Sequence, residues 1–113
     1  MSELTIGENK IIGKYFSQTW TNLSYVAGVI TAVRKDNMVT LSFNYSGNNT
    51  TGTLWTVMTL PAIYRPIVNL KFEIVNAAVD SYVEVNTDGT IKINYNATAL
   101  NNRGTVSYIA LNN

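Results

Sequence analysis

The chain has 113 residues, enough for one domain that buries about two-thirds of the surface its unfolded form exposes. It contains no cysteine and no histidine, which excludes disulfide staples, a structural zinc site and any Ser-His or Cys-His nucleophile system. Charged residues make up 13% of it and the net charge is +1, which argues against nucleic acid, a ligand held through clustered Lys and Arg.

In chain order, Met1 to Thr5 carries an acidic residue and no apolar core of signal-peptide length. Residues 1–14 are expected to form an arm that reaches a neighbouring subunit. Period-two alternation of apolar residues recurs from there on, and no segment keeps a helical period for the length of a normal helix. The longest apolar stretch, Tyr25 to Val33, is interrupted by Thr31 and falls well short of the ~20 residues a membrane helix requires, so no membrane insertion is expected. Tyr25 to Arg34 is rich in β-branched residues and reads as a strand. Lys35-Asp36-Asn37 then supplies a turn, and Val39, Leu41, Phe43 and Tyr45 alternate with Thr40, Ser42 and Asn44 as the second strand of a hairpin. Ser46 to Gly52 is a polar loop with glycine near both ends.

A strand resumes from Thr53 to Leu60 and meets a corner between Pro61 and Pro66. Neither proline can donate to a ladder and each biases its predecessor toward extended geometry, so the chain must turn there. In that corner Tyr64 is expected to bury its ring and Arg65 to cap exposed carbonyls. Ile67 to Asn76 reads as a strand with Ile67, Leu70, Phe72 and Ile74 toward the core. The clearest hairpin follows: Ser81 to Val85, the turn Asn86-Thr87-Asp88-Gly89, and Thr90 to Tyr95, with Val83 and Val85 facing Ile91 and Ile93. Asn96 to Gly104 reads as a loop with room for one helical turn, and Thr105 to Leu111 as the last strand. Seven or eight strands at short spacing predict a single all-β domain over residues 1–113, an antiparallel two-sheet β-sandwich of immunoglobulin or jelly-roll-like type.

The run Trp55-Thr56-Val57-Met58-Thr59-Leu60-Pro61-Ala62-Ile63-Tyr64-Arg65-Pro66, then a strand, the Asn-x-Asp-Gly hairpin and a terminal Val106-Ser107-Tyr108-Ile109, resembles a module of bacteriophage tail fibre, baseplate and minor structural proteins. The likeness covers residues 53–111; residues 1–52 share only its style, a tryptophan followed by a hairpin and a Gly/Asn loop. The chain departs from the commoner pattern in carrying Ala62-Ile63 before the aromatic and in lacking a glycine-rich stretch before Tyr82. The resemblance implies a homotrimeric tip module, in many relatives a lectin-like receptor-binding protein for host cell-surface saccharide and in others a structural cap. It further implies virion tail or baseplate proteins as partners, a place in the virion, and assembly in the host cytoplasm.

The residues suit that reading on their own terms. Fifteen Asn, 14 Thr and 7 Ser put a small uncharged hydrogen-bonding side chain at 36 of 113 positions, a surface matched to neutral hydroxylated partners, although a turn-rich β fold also accounts for it. A sugar site needs an aromatic face for the apolar side of a pyranose and planar polar groups for its hydroxyls. The candidates are Trp20 in its polar setting, alternatively a core or intersubunit anchor; Asn44, Tyr45, Asn48 and Asn49 around a strand end and loop; and Tyr82, on one strand face with Asp80 and Glu84. Trp55, in an apolar strand, reads as core. No cofactor or metal is expected, nor enzymatic activity. Of seven acidic residues the closest pair on one strand, Asp80 and Glu84, lies ~13 Å apart along an extended chain, beyond the reach of a glycosidase acid pair. Two functions remain in view: saccharide recognition, and a structural module that trimerises or caps a fibre.

Overall fold

The computed structural model describes residues 15–47, 54–74, 81–94 and 102–110. Eight strands are present: β1 (Tyr15–Trp20), β2 (Val26–Lys35), β3 (Met38–Gly47), β4 (Trp55–Thr59), β5 (Leu70–Ile74), β6 (Ser81–Val85), β7 (Thr90–Asn94) and β8 (Asn102–Ile109). They form two antiparallel four-stranded sheets, sheet A in the order β1-β2-β3-β8 and sheet B in the order β4-β7-β6-β5. This is the expected two-sheet β-sandwich. Strands β4 to β7 trace a Greek key, with the long β4–β5 connection bringing β4 beside β7; a jelly roll carries two such keys.

Alternation builds the core. In β2, Ile30 and Ala32 point inward, and in β3, Val39, Leu41 and Phe43 do the same. They meet Val83, Val85, Ile91 and Ile93 of sheet B in one buried cluster. Each fully buried aliphatic side chain contributes about 1.5–3 kcal/mol relative to exposure. The expected pairing of the β6–β7 hairpin is present, Val83 opposite Ile93 and Val85 opposite Ile91. Its turn is closed by Gly89 N donating to Asn86 O at 2.8 Å, with Gly89 at φ 91°. The backbone N–H and hydroxyl of Thr90 both donate to Asp88, and these bonds hold its carboxyl below the usual carboxylate range.

Tyr15–Trp20, for which the sequence carries no assigned element, is an edge strand; its inward positions are Phe16, Gln18 and Trp20, and the glutamine breaks the apolar period that would have marked it. Two expectations about elements change. The last strand begins at Asn102 rather than Thr105, because Asn102 is drawn inside and donates from Nδ2 to Tyr45 O at 3.2 Å. Ile67, expected in the core, is 49% exposed, since the chain is still leaving the corner there and β5 starts only at Leu70. Leu70 and Phe72 do pack on the core. The proposed arm, the loop around Asn48 and Asn49, and residues 95–101 lie outside the described residues.

The Pro61–Pro66 corner ties the sheets together at one end of the sandwich. A 3-10 turn over Ala62–Tyr64 buries the Tyr64 ring, and Arg65 Nε donates to Leu60 O at 2.8 Å, the carbonyl cap expected of it. Pro66 bridges to Ala110 beyond β8. Arg34, fully buried on the inner face of β2, reaches the corner as well. Its Nε donates to Asp36 O at 2.7 Å, its Nη1 to Ile63 O at 2.6 Å and its Nη2 to Asn37 Oδ1 at 3.4 Å.

Tyr108 of β8 donates its hydroxyl to Tyr64 O at 2.5 Å, and burial pushes that hydroxyl's pKa well above the ordinary tyrosine value. A group whose pKa is raised on folding stabilises the fold fully below its unfolded pKa and loses that contribution as pH rises toward the folded value. Unfolding free energy is therefore expected to fall above about pH 10. In urea titrations Tyr108→Phe should flatten that alkaline decline and cost about 1–2 kcal/mol at neutral pH by leaving Tyr64 O without its donor. An unchanged alkaline slope in the variant would contradict the assignment.

Candidate functional site

The residues singled out from the sequence do not converge. Tyr45 is 1% exposed: it continues the inward series of Val39, Leu41 and Phe43, so its ring belongs to the core and cannot present a face to a ligand. Its place there depends on Gly28, its partner on β2, where any Cβ would run into the Tyr45 backbone. Trp20 also turns inward. It stands opposite Ile30 and packs edge-on against Tyr64, with centroids 5.8 Å apart and rings at 88°, so this indole seals the sandwich at the β1 edge. Tyr82 lies on the outer face of sheet B, its ring covered by the Lys71 ammonium at 4.1 Å from the centroid. Asn44 is exposed on the outer face of sheet A, on the other side of the molecule. Asn48 and Asn49 lie outside the described residues.

What the fold does bring together is the outer face of sheet A. The registers of its four strands align Ser17, Val33, Thr40 and Ser107 in one row and Thr19, Thr31, Ser42 and Thr105 in the next. A third row holds Val29, Asn44 and Arg103. Strand spacing of ~4.8 Å and a two-residue repeat of ~6.7 Å make this a regular array of hydroxyls. Neighbours share hydrogen bonds: Thr19 with Thr31 at 3.1 Å, Thr40 with Ser107 at 2.9 Å, and Ser42 with Thr105 at 3.5 Å. A hydroxyl offers one donor and two lone pairs, so each bonded pair still holds one donor and three acceptor sites. The face is thus rich in acceptors, with donors from the Asn44 amide and the Arg103 guanidinium at one end.

Electrostatics separates the two outer faces. On the outer face of sheet A the charged side chains among the described residues are Lys35 and Arg103, toward opposite ends of the strands. On sheet B, Lys71, Glu84 and Lys92 stand in one register row with Glu73 nearby, a solvated charged ladder. A face that keeps seven hydroxyls and almost no charge is suited to reversible contact with neutral, hydroxylated matter.

One aromatic pair lies at the end of the sandwich. Trp55, expected inside, is half-buried: it stands opposite Ile93, and its ring meets Tyr25 with centroids 4.6 Å apart and a tilt of 45°. The apolar run around Trp55 hid this, because Trp55 sits at the first position of β4, where the sheet ends.

No protein-family model matches the chain, and no curated protein matches it in sequence.

Proposed function

We propose that the chain is a receptor-binding module that recognises host cell-surface saccharide through the outer face of sheet A, as a homotrimer at the tip of a phage tail fibre or baseplate. The observation that carries the binding part is the uncharged hydroxyl array with Asn44 and Arg103 at its end. Hydroxyls, an amide and a guanidinium match a polyol donor for acceptor without an ionic requirement. The phage setting, the trimer and the place in the virion come from the resemblance of residues 53–111 to tail-tip modules, and the low charge and high Asn/Thr content agree with it. The reading assigns no catalytic step.

The test is adsorption of the purified chain to host cells and to a glycan array. Asn44→Ala combined with Thr105→Val removes two polar contacts worth about 0.5–1.5 kcal/mol each and should weaken adsorption roughly ten- to hundredfold, with unchanged oligomeric state in light scattering. Lys71→Ala, on the other sheet, should leave adsorption intact. Equal adsorption by the double variant, or saturating protein that binds no cell and no saccharide, would sink the proposal.

A structural role has one observation of its own. Tyr15, Met38 and Ile109, all exposed, line the end row of the same face, with Lys35 between Tyr15 and Met38. Such an apolar row fits a protein contact. On that reading Met38→Lys abolishes assembly, and no variant loses adsorption without losing assembly.

A further inference from the structure

We propose that Tyr25 and Trp55 form a stacking platform for a pyranose ring, a second contact point for the saccharide ligand. The inference rests on the saccharide reading above but uses different residues from the sheet A array. Two features coincide there. Tyr25 has φ 68°, the left-handed region that bulky side chains rarely adopt, and its side chain is 48% exposed. Its ring lies against half-buried Trp55. An aromatic pair needed only to cover the end of the sandwich would not require a strained backbone.

The strain is held in place by the chain on both sides. Leu23 packs on the core, Ser24 N donates across the sandwich to Val57 O at 3.0 Å, and Val26 is buried as the first residue of β2. Tyr25 is therefore displayed from a fixed support, as a recognition group must be if binding is not to spend its energy on ordering a loop. The ligand chemistry follows from the two rings. The exposed Tyr25 ring, backed by Trp55, offers a face to the C–H side of a sugar.

The experiment is nitrogen–proton correlation NMR of the full chain titrated with the methyl pyranosides of glucose, galactose and N-acetylglucosamine, with glycerol and choline as controls. The two indole N–H resonances are assigned with Trp20→Phe, and Trp20 then serves as an internal reference. The expected result is a saturable shift of the Trp55 resonance with at least one pyranoside, none for Trp20, and none with glycerol or choline. Tyr25→Gly removes the ring while accepting the left-handed backbone. It should weaken that response by up to about tenfold, the ceiling for one ring contact, with an unchanged unfolding midpoint. No saturable shift with any pyranoside, equal shifts at both tryptophans, a response to choline instead, or undiminished binding by Tyr25→Gly would each overturn the platform. Tyr25→Gly with a clearly lowered midpoint and intact binding would mark the pair as structural. If the platform fails while Asn44→Ala with Thr105→Val still loses adsorption, the saccharide reading survives on the sheet face; if neither responds, both fall.

Discussion

Arg34→Ala is expected to destabilise the protein by about 3 kcal/mol or more, a large share of the ~5–15 kcal/mol that holds a domain of this kind together. Arg34 continues the inward series of Ile30 and Ala32, so its aliphatic stem fills core space and its guanidinium ends among backbone carbonyls. Truncation leaves Ile63 O and Asp36 O without the donor they now have, at up to about 1–3 kcal/mol for each of these part-buried acceptors, and opens a void besides. Relief of the desolvation suffered by a buried cation offsets part of this. Arg34→Met separates the contributions: it keeps most of the volume, so it should recover the packing loss and retain the loss from the stranded carbonyls. Arg34→Lys should recover little of the bonding, because an ammonium cannot place donors along the three directions a planar guanidinium serves here. Urea midpoints of the three variants check the ranking. An alanine variant within ~1 kcal/mol of the parent would show that the corner and the β2–β3 turn are held without this side chain.

Gly28→Ala should cost about 2–4 kcal/mol, more than most single substitutions in a strand. A Cβ at Gly28 would collide with Asn44 O and lie 2.5 Å from Tyr45 Cα and 2.7 Å from Tyr45 Cβ. Two of these three atoms are backbone, so no rotamer change relieves the overlap; β2 and β3 must separate or slide. They are the central pair of sheet A, and Tyr45 fills the core next to them. The displacement also moves Asn44, which neighbours Tyr45, so adsorption through the sheet face should fall together with stability. Thermal unfolding and cell adsorption measured on one preparation give the check. A variant that keeps its melting temperature would mean that the strand pair tolerates the wider spacing.

How far the site could be read in advance is clearest from single residues. Tyr45 stood in plain alternation with Val39, Leu41 and Phe43, and that period was a better guide to its place than its nearness to a polar loop. Trp20 was read correctly as far as its alternative role as an anchor, since it faces Tyr64. The hydroxyl array was half visible. Ser17-x-Thr19, Thr40-x-Ser42 and Thr105-x-Ser107 each repeat a small hydroxyl at strand period, but nothing local says that β8 lies against β3 across some 60 residues of chain. Tyr25 and Trp55 gave no signal at all, because a left-handed backbone and a ring contact between residues thirty positions apart are not written in either neighbourhood.

The linear order of residues by itself determined the class of the protein. Period-two patterning dictates strands, two prolines and an Asp-Gly turn dictate where they stop, and the absence of histidine and cysteine excludes a Ser-His or Cys-His nucleophile and a Cys/His zinc site. Those are short-range effects, settled within a few residues by sterics and hydrophobic period. Which strands became neighbours, which face of each was left outside, and which aromatics ended in the core were decided by tertiary packing. They depend on pairing distant segments, whose energy is gained only when the whole sandwich closes.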